Sequence, residues 1–166
     1  MQTATGSGRD QATAHPLAEL LACPPAAATL LNACARSIEV SPGESVFHQG
    51  AECEGLYVIV AGQLQRKAER METRVVLGAR HAGEIVELAA ALGSRRHTYT
   101  LTAQTASSLM MLPIAALDEA FHAYPRLRMQ LLEELAREIS RAYISCQTAR
   151  RTRASSRQAK NATAVS

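Results

Sequence analysis

No stretch of this 166-residue chain approaches the roughly 18 consecutive apolar residues of a membrane-spanning helix. Its first residues, MQTATGSGRDQATA, have neither a basic n-region nor an apolar h-region, so no secretory signal is read there. The expected location is therefore the cytoplasm, with no membrane contact. The four cysteines, Cys23, Cys34, Cys53 and Cys146, form no C-x-x-C pair, and no histidine follows them at zinc-finger spacing. In a reducing compartment such scattered cysteines are expected to be small buried apolar residues. His15, His48, His81, His97 and His122 include no H-x-H, and no two lie closer than 16 residues. G-x-S-x-G, H-E-x-x-H and P-loop patterns are missing as well. No metal site and no enzyme is expected.

What is present fits one globular domain. Apolar residues make up 47% of the chain, enough for a real core and too many for wholesale disorder. The net charge of +3 is unevenly placed. Residues 149 to 166 carry Arg150, Arg151, Arg153, Arg157 and Lys160 and no acid, while the remainder holds 13 basic against 15 acidic residues. A nearly neutral globule with a basic tail, 150–166, is expected, the tail and residues 1–15 both disordered. The tail has no aromatic residue, so it offers no stacking platform for single strands, only weak and salt-dependent phosphate contact.

Residues 16 to 37 are rich in Ala and Leu and predict two short helices broken at Pro24 and Pro25. From Ile38 the texture changes to short β-rich segments punctuated by Gly43, Gly50, Gly55, Gly62, Gly78 and Gly83. That spacing predicts a small barrel or roll. In GLYVIVAGQLQ both alternating sets of side chains are apolar, so this strand should be covered on both faces. Residues 83 to 94 open extended and turn helical around ELAAAL; HTYTLTAQT and SSLMMLPI read as strands. A short helix is predicted over Ile114 to Tyr124, and a long one over 126–149. In the long helix Leu132, Ile139 and Cys146 recur every seven residues, with Leu135 and Ala142 three residues after the first two. This is an a/d seam, and at about 1.5 Å per residue the helix spans roughly 36 Å, long for a domain of this size. A homodimer through Leu132, Leu135, Ile139, Ala142 and Cys146 is expected.

The order of elements, with PGESVFHQG (42–50), GLYVIVAGQLQ (55–65), AGEIV (82–86) and TLTA (100–103), resembles the cyclic nucleotide-binding effector domain of the Crp/Fnr regulators. The resemblance covers roughly residues 17 to 148. It implies a mainly β fold with flanking helices: a cyclic-nucleotide-binding-like β-roll, or jelly roll, over 16–148, ending in the long dimerisation helix. In nucleotide-binding members, helix N-terminal amides and an Arg hold the phosphate, and a Glu accepts from the ribose hydroxyl. The matching positions here are Gly83, Glu87, Leu88, Arg95, Arg96, His97 and Thr98. The family pattern there is similar to G-[DE]-x-x-G-E-x-A followed by P-R-x-A-T. Ungapped, Glu87 takes the place of the glycine before the acid and Leu88 that of the acid itself; only a one-residue deletion makes Glu87 the ribose contact. Counting back from TLTA, His97 stands where the Arg belongs, Arg96 where the Pro belongs, and Tyr99 fills a small-residue position.

The cofactor is accordingly left unassigned, a cyclic nucleotide or another small molecule. Haem or iron–sulfur sensing lacks a signature, because Cys23 and Cys34 are too sparse and His48, His81, Met110 and Met111 stand alone. The residues after Ala149 show no apolar periodicity, so no helix-turn-helix is expected and DNA sequence should not be read by the family's usual route. Two functions follow from the resemblance: a sensory effector domain, stand-alone or cut from a longer regulator, that signals through its dimer helix to an unidentified protein; or a DNA-associated regulator that acts through the basic tail or by heterodimerising with full-length relatives.

Overall fold

The computed structural model describes the backbone of residues 17–70 and 73–163, with side chains for 17–69 and 74–144. The expected N-terminal segment 1–15 and the Cys146 side chain lie outside the described residues. Among the described residues, eight strands form two antiparallel sheets. In the first, the order is β1 (Arg36–Val40), β8 (Ser107–Pro113), β3 (Gly55–Ala61), β6 (Ile85–Val86). In the second it is β2 (Ser45–Phe47), β7 (Thr100–Ala103), β4 (Gln63–Arg70), β5 (Thr73–His81). The expected roll is found.

The core lies between the sheets. Tyr57, Ile59, Leu109 and Met111 from the first face Phe47, Leu64, Leu101 and Ala103 from the second. On the other face of β3, Leu56 and Val58 are buried along with Leu31 and Ala27 of helix α1 (Pro25–Cys34) and Leu117 and Ala120 of helix α2 (Ile114–Ala123). The double-sided burial of β3 holds as far as Ile59; Val60 and Ala61 are exposed. The chain turns from β3 into β4 at Gly62, whose φ of +91° is left-handed and whose missing Cβ would meet Ser107 and the Ala106 carbonyl. Only glycine fits both demands.

The early helices appear as expected: residues 17–20 are helical, the chain breaks at Pro24, and Pro25 begins α1 in the first-turn position that tolerates proline. The strand at HTYTLTAQT is shorter than its alternation predicted, covering only Thr100–Ala103. His97 to Tyr99 lie outside the ladder with β4, which begins at Lys67↔Thr100. The final helix, α3, differs most: it runs Pro125–Thr163 rather than 126–149. The segment expected to be a disordered tail is helical in backbone to Thr163, and no Gly or Pro within residues 150–163 interrupts it.

The chain divides into two compact units, Met1–Leu131 and Leu132–Ser166. In the second, Glu134 accepts from Arg137 at 2.7 Å and from Arg141 at 2.8 Å. Ile139 is exposed, Leu132 marginally so, Leu135 half-buried and Ala142 exposed. Among the described residues, no helix is long and apolar enough to cross a membrane.

Candidate functional site

The segment 83–98 holds every ligand-binding position expected from the sequence. Gly83 closes a turn, its amide donating to the Ile59 carbonyl at 2.8 Å, with φ at +85° and open space where a Cβ would sit. The chain then pairs briefly as β6 with Tyr57 and Val58 and reaches Glu87, a non-glycine residue at φ +70°. That conformation costs an L-residue roughly 1–2 kcal/mol. It turns the Glu87 side chain fully inward, where Oε2 sits 3.0 Å from His97 Nδ1 and the two side chains are 0% and 2% exposed. One proton between Nδ1 and Oε2 satisfies both atoms. The Thr98 hydroxyl donates to Oε1 at 3.5 Å. Leu88 is buried and begins a helical turn that widens into a π-type segment, Ala90–Ser94.

Arg95 follows in a second left-handed conformation, φ 58°. Its guanidinium lies 3.5 Å from Asp118 of α2. Arg96 donates from Nη1 to the Gly50 carbonyl at 2.8 Å. The structure thus brings Glu87, His97 and Thr98 together, while Leu88 joins the core, Gly83 serves a separate turn, and both guanidinium groups are held elsewhere.

Aromatic residues surround the buried pair. The His97 ring stacks on Phe47 with centroids 3.8 Å apart and planes 4° from parallel. Phe47 also packs against Tyr57 at 5.1 Å and Tyr99 at 5.8 Å. The Arg66 guanidinium carbon lies 5.4 Å from the Tyr99 ring centre. Burial shifts His97, Tyr57 and Tyr99. It pulls the His97 imidazole below its ordinary range, partly offset by the Glu54 charge, and pushes the Tyr57 and Tyr99 hydroxyls far up. The Cys53 thiol is also pushed up, chiefly by burial, so both tyrosines and Cys53 stay protonated at neutral pH.

Cys53 is the residue that sequence reasoning missed. It approaches Glu87 and His97 because the loop 50–53 is laddered to 95–97: Gly50 N–H donates to His97 O at 2.8 Å, His97 N–H to Ala51 O at 2.9 Å, and Cys53 N–H to Arg95 O at 2.8 Å. Positions 53, 87 and 97 are too far apart for any spacing rule to join them. Next to this ladder a cleft of about 540 Å³ is lined by Glu52, Cys53, Glu54, Arg95 and Met111, among others. A second cleft, about 550 Å³, lies between the π-type segment and α2, with Arg95, Asp118, His122 and Arg128 in its wall.

Comparison with known proteins agrees with the architecture. Residues 37–124 match the family described as cyclic nucleotide-binding domain. Among solved structures, the chain is similar to the sensor domain of the transcriptional regulator DNR from Pseudomonas aeruginosa: TM-score 0.66, 19% identity, 80% of this chain and 89% of that one. It is similar to the catabolite activator protein of Thermus thermophilus: TM-score 0.69, 18% identity, 80% of this chain and 62% of that one. It is also similar to the regulatory domain of Toxoplasma gondii PKA, solved with cAMP: TM-score 0.66, 14% identity, 80% of this chain and 50% of that one. At such identities the likeness is one of fold. No curated protein matches the chain.

Proposed function

The chain belongs to the cyclic nucleotide-binding domain family, and on that premise we propose that it is a cytoplasmic, non-enzymatic ligand-sensing domain of the Crp/Fnr type. Its phosphate cassette has departed from the nucleotide-binding form. The carrying observation is the commitment of Glu87. Its φ of +70° is the left-handed value that suits glycine, which supports the ungapped register: Glu87 in the glycine's place, buried Leu88 in the acid's. The Glu87 carboxylate is bonded to His97 rather than presented to a ribose, and Arg95 and Arg96 are held by Asp118 and Gly50.

Signal output is assigned to α3. Its heptad positions Leu132 and Ile139 are exposed in the single chain, which supports a homodimer made by two such helices. A ligand then acts by shifting the population of dimer geometries, read by a protein partner. The test is a thermal-shift titration with cyclic AMP, cyclic GMP and cyclic dinucleotides. A ligand at a hundredfold excess over Kd adds about 2.7 kcal/mol, several degrees for a domain of this size. No shift with any of them is expected; a shift removed by Arg96→Ala overturns the reading.

A second reading rests on the helical backbone through Arg150, Arg151, Arg153, Arg157 and Lys160, with no acid between residues 149 and 166. In it the chain associates with DNA through that basic segment, or heterodimerises with longer relatives. A salt-dependent gel shift lost on deleting residues 150–166 favours this reading over the first.

A further inference from the structure

Three buried polar side chains meet where the loop after β2 runs beside the segment leading into β7. A ligating atom of each of Cys53, Glu87 and His97 lies within 4.8 Å of the other two, and the residues are 3%, 4% and 4% exposed. We propose that Cys53, Glu87 and His97 form a binding site for one divalent transition-metal ion of the zinc class.

The donor set is the first argument. Thiolate, carboxylate and imidazole are the S, O and N ligands of zinc, and bonds of about 2.0–2.3 Å at tetrahedral angles place ligand atoms roughly 3.3–3.7 Å apart. His97 Nδ1 and Glu87 Oε2, at 3.0 Å, stand close to that separation. Cys53 Sγ must move in by about an ångström, which a torsion about its Cα–Cβ bond can supply. In the structure the thiol donates to the Gly55 carbonyl, at 3.2 Å.

Preorganisation is the second argument. The three backbone bonds between 50–53 and 95–97 fix the spacing of Cys53 and His97. The Phe47 ring holds the imidazole plane, and Thr98 holds the second carboxylate oxygen. Outer partners of this kind orient ligands and raise affinity. Charge is the third. One dication with one thiolate, one carboxylate and a neutral imidazole is neutral overall, which suits a buried centre. Binding releases the Cys53 proton to solvent and displaces the proton shared by Nδ1 and Oε2 to His97 Nε2, the nitrogen that does not ligate. The cleft lined by Glu52, Cys53 and Glu54 reaches the Cys53 side of the site, and water would complete a tetrahedral ion. This site is independent of the sensing reading, since an ion can bind whether or not the domain signals.

The experiment uses the full chain, stripped with a chelator, reduced, and titrated with cobalt(II) and then zinc. The expected result is a thiolate-to-cobalt charge-transfer band with tetrahedral visible bands, saturating at one equivalent and displaced by zinc. The bands should survive in a Cys23→Ala, Cys34→Ser, Cys146→Ser variant whose fold is confirmed by circular dichroism, because only Cys53 then supplies sulfur. Glu87→Gln should weaken binding by more than the roughly 10–100-fold typical of losing an outer partner. Absence of the thiolate band in the folded, reduced wild-type chain overturns the proposal, as does a band that persists in Cys53→Ala. The wild-type measurement depends on no variant folding.

Discussion

Along β3, Leu56, Tyr57, Val58 and Ile59 are each no more than 5% exposed, whereas along α3 Ile139 is 60% exposed and Leu132 37%. Both elements carry large apolar side chains. A strand sends alternate residues to opposite faces, and β3 has a layer waiting on each: the second sheet on one side, helices α1 and α2 on the other. On α3 Leu132 and Ile139, with Leu135 and Ala142 three residues after each, recur at seven-residue spacing; Ile139 and Ala142 are exposed, Leu132 marginally so, and Leu135 is half-buried. An exposed heptad stripe is what a second helix covers. The roll is therefore complete within one chain, and the helix beyond Leu131 is proposed to be completed by another copy.

The comparison can be broken most severely from the roll side. Leu101→Ala removes a fully buried side chain from between the sheets and should cost 2–5 kcal/mol, read as a lower urea midpoint at unchanged slope. Gly62→Ala should cost about 2–3 kcal/mol, because it adds left-handed strain to a collision with Ser107 and the Ala106 carbonyl. Gly83→Ala has the same sign of φ but open space around its Cβ, and should cost only about 1 kcal/mol. Equal losses at the two glycines would show that contact at Gly62 contributes nothing.

The helix offers a smaller effect. The Arg141 and Arg137 hydrogen bonds hold the Glu134 carboxyl below its usual range. A carboxylate with a depressed folded-state pKa stabilises above its unfolded value, and that support is lost as pH falls through the folded value. Glu134→Gln should therefore lower helix content slightly at pH 7, by about 0.3–0.5 kcal/mol per pair, and leave it unchanged in strong acid. Circular dichroism at 222 nm reads this. An equal loss at both pH values would contradict the ion-pair account.

Much of the roll was legible in the sequence because its signals are local. Glycines at turns, alternation in GLYVIVAGQLQ and prolines at helix starts each act within a few residues, and each element they marked is present. The end of α3 was less legible. The change of composition near Ala149 marked a boundary in charge, and the backbone shows none, since Arg, Ala and Gln continue a helix as readily as they leave one. The site was legible only in part. Glu87, His97 and Thr98 came from the resemblance and do meet; Arg95 and Arg96 came from it too, but their guanidinium groups are held by Asp118 and the Gly50 carbonyl. Two left-handed residues, Glu87 and Arg95, redirect the chain there, and no residue-type preference announces left-handed Glu or Arg. Cys53 carried no signal, since its neighbours arrive from 34 and 44 positions away through the ladder of 50–53 against 95–97.

The claim that the roll is self-sufficient and the helix is not is tested most directly by sedimentation equilibrium on the wild-type chain and Ile139→Glu, with urea unfolding of both. A dimeric wild type, a monomeric variant and the same unfolding midpoint for the monomeric roll are predicted. A monomeric wild type, or a variant that stays dimeric, would contradict the account.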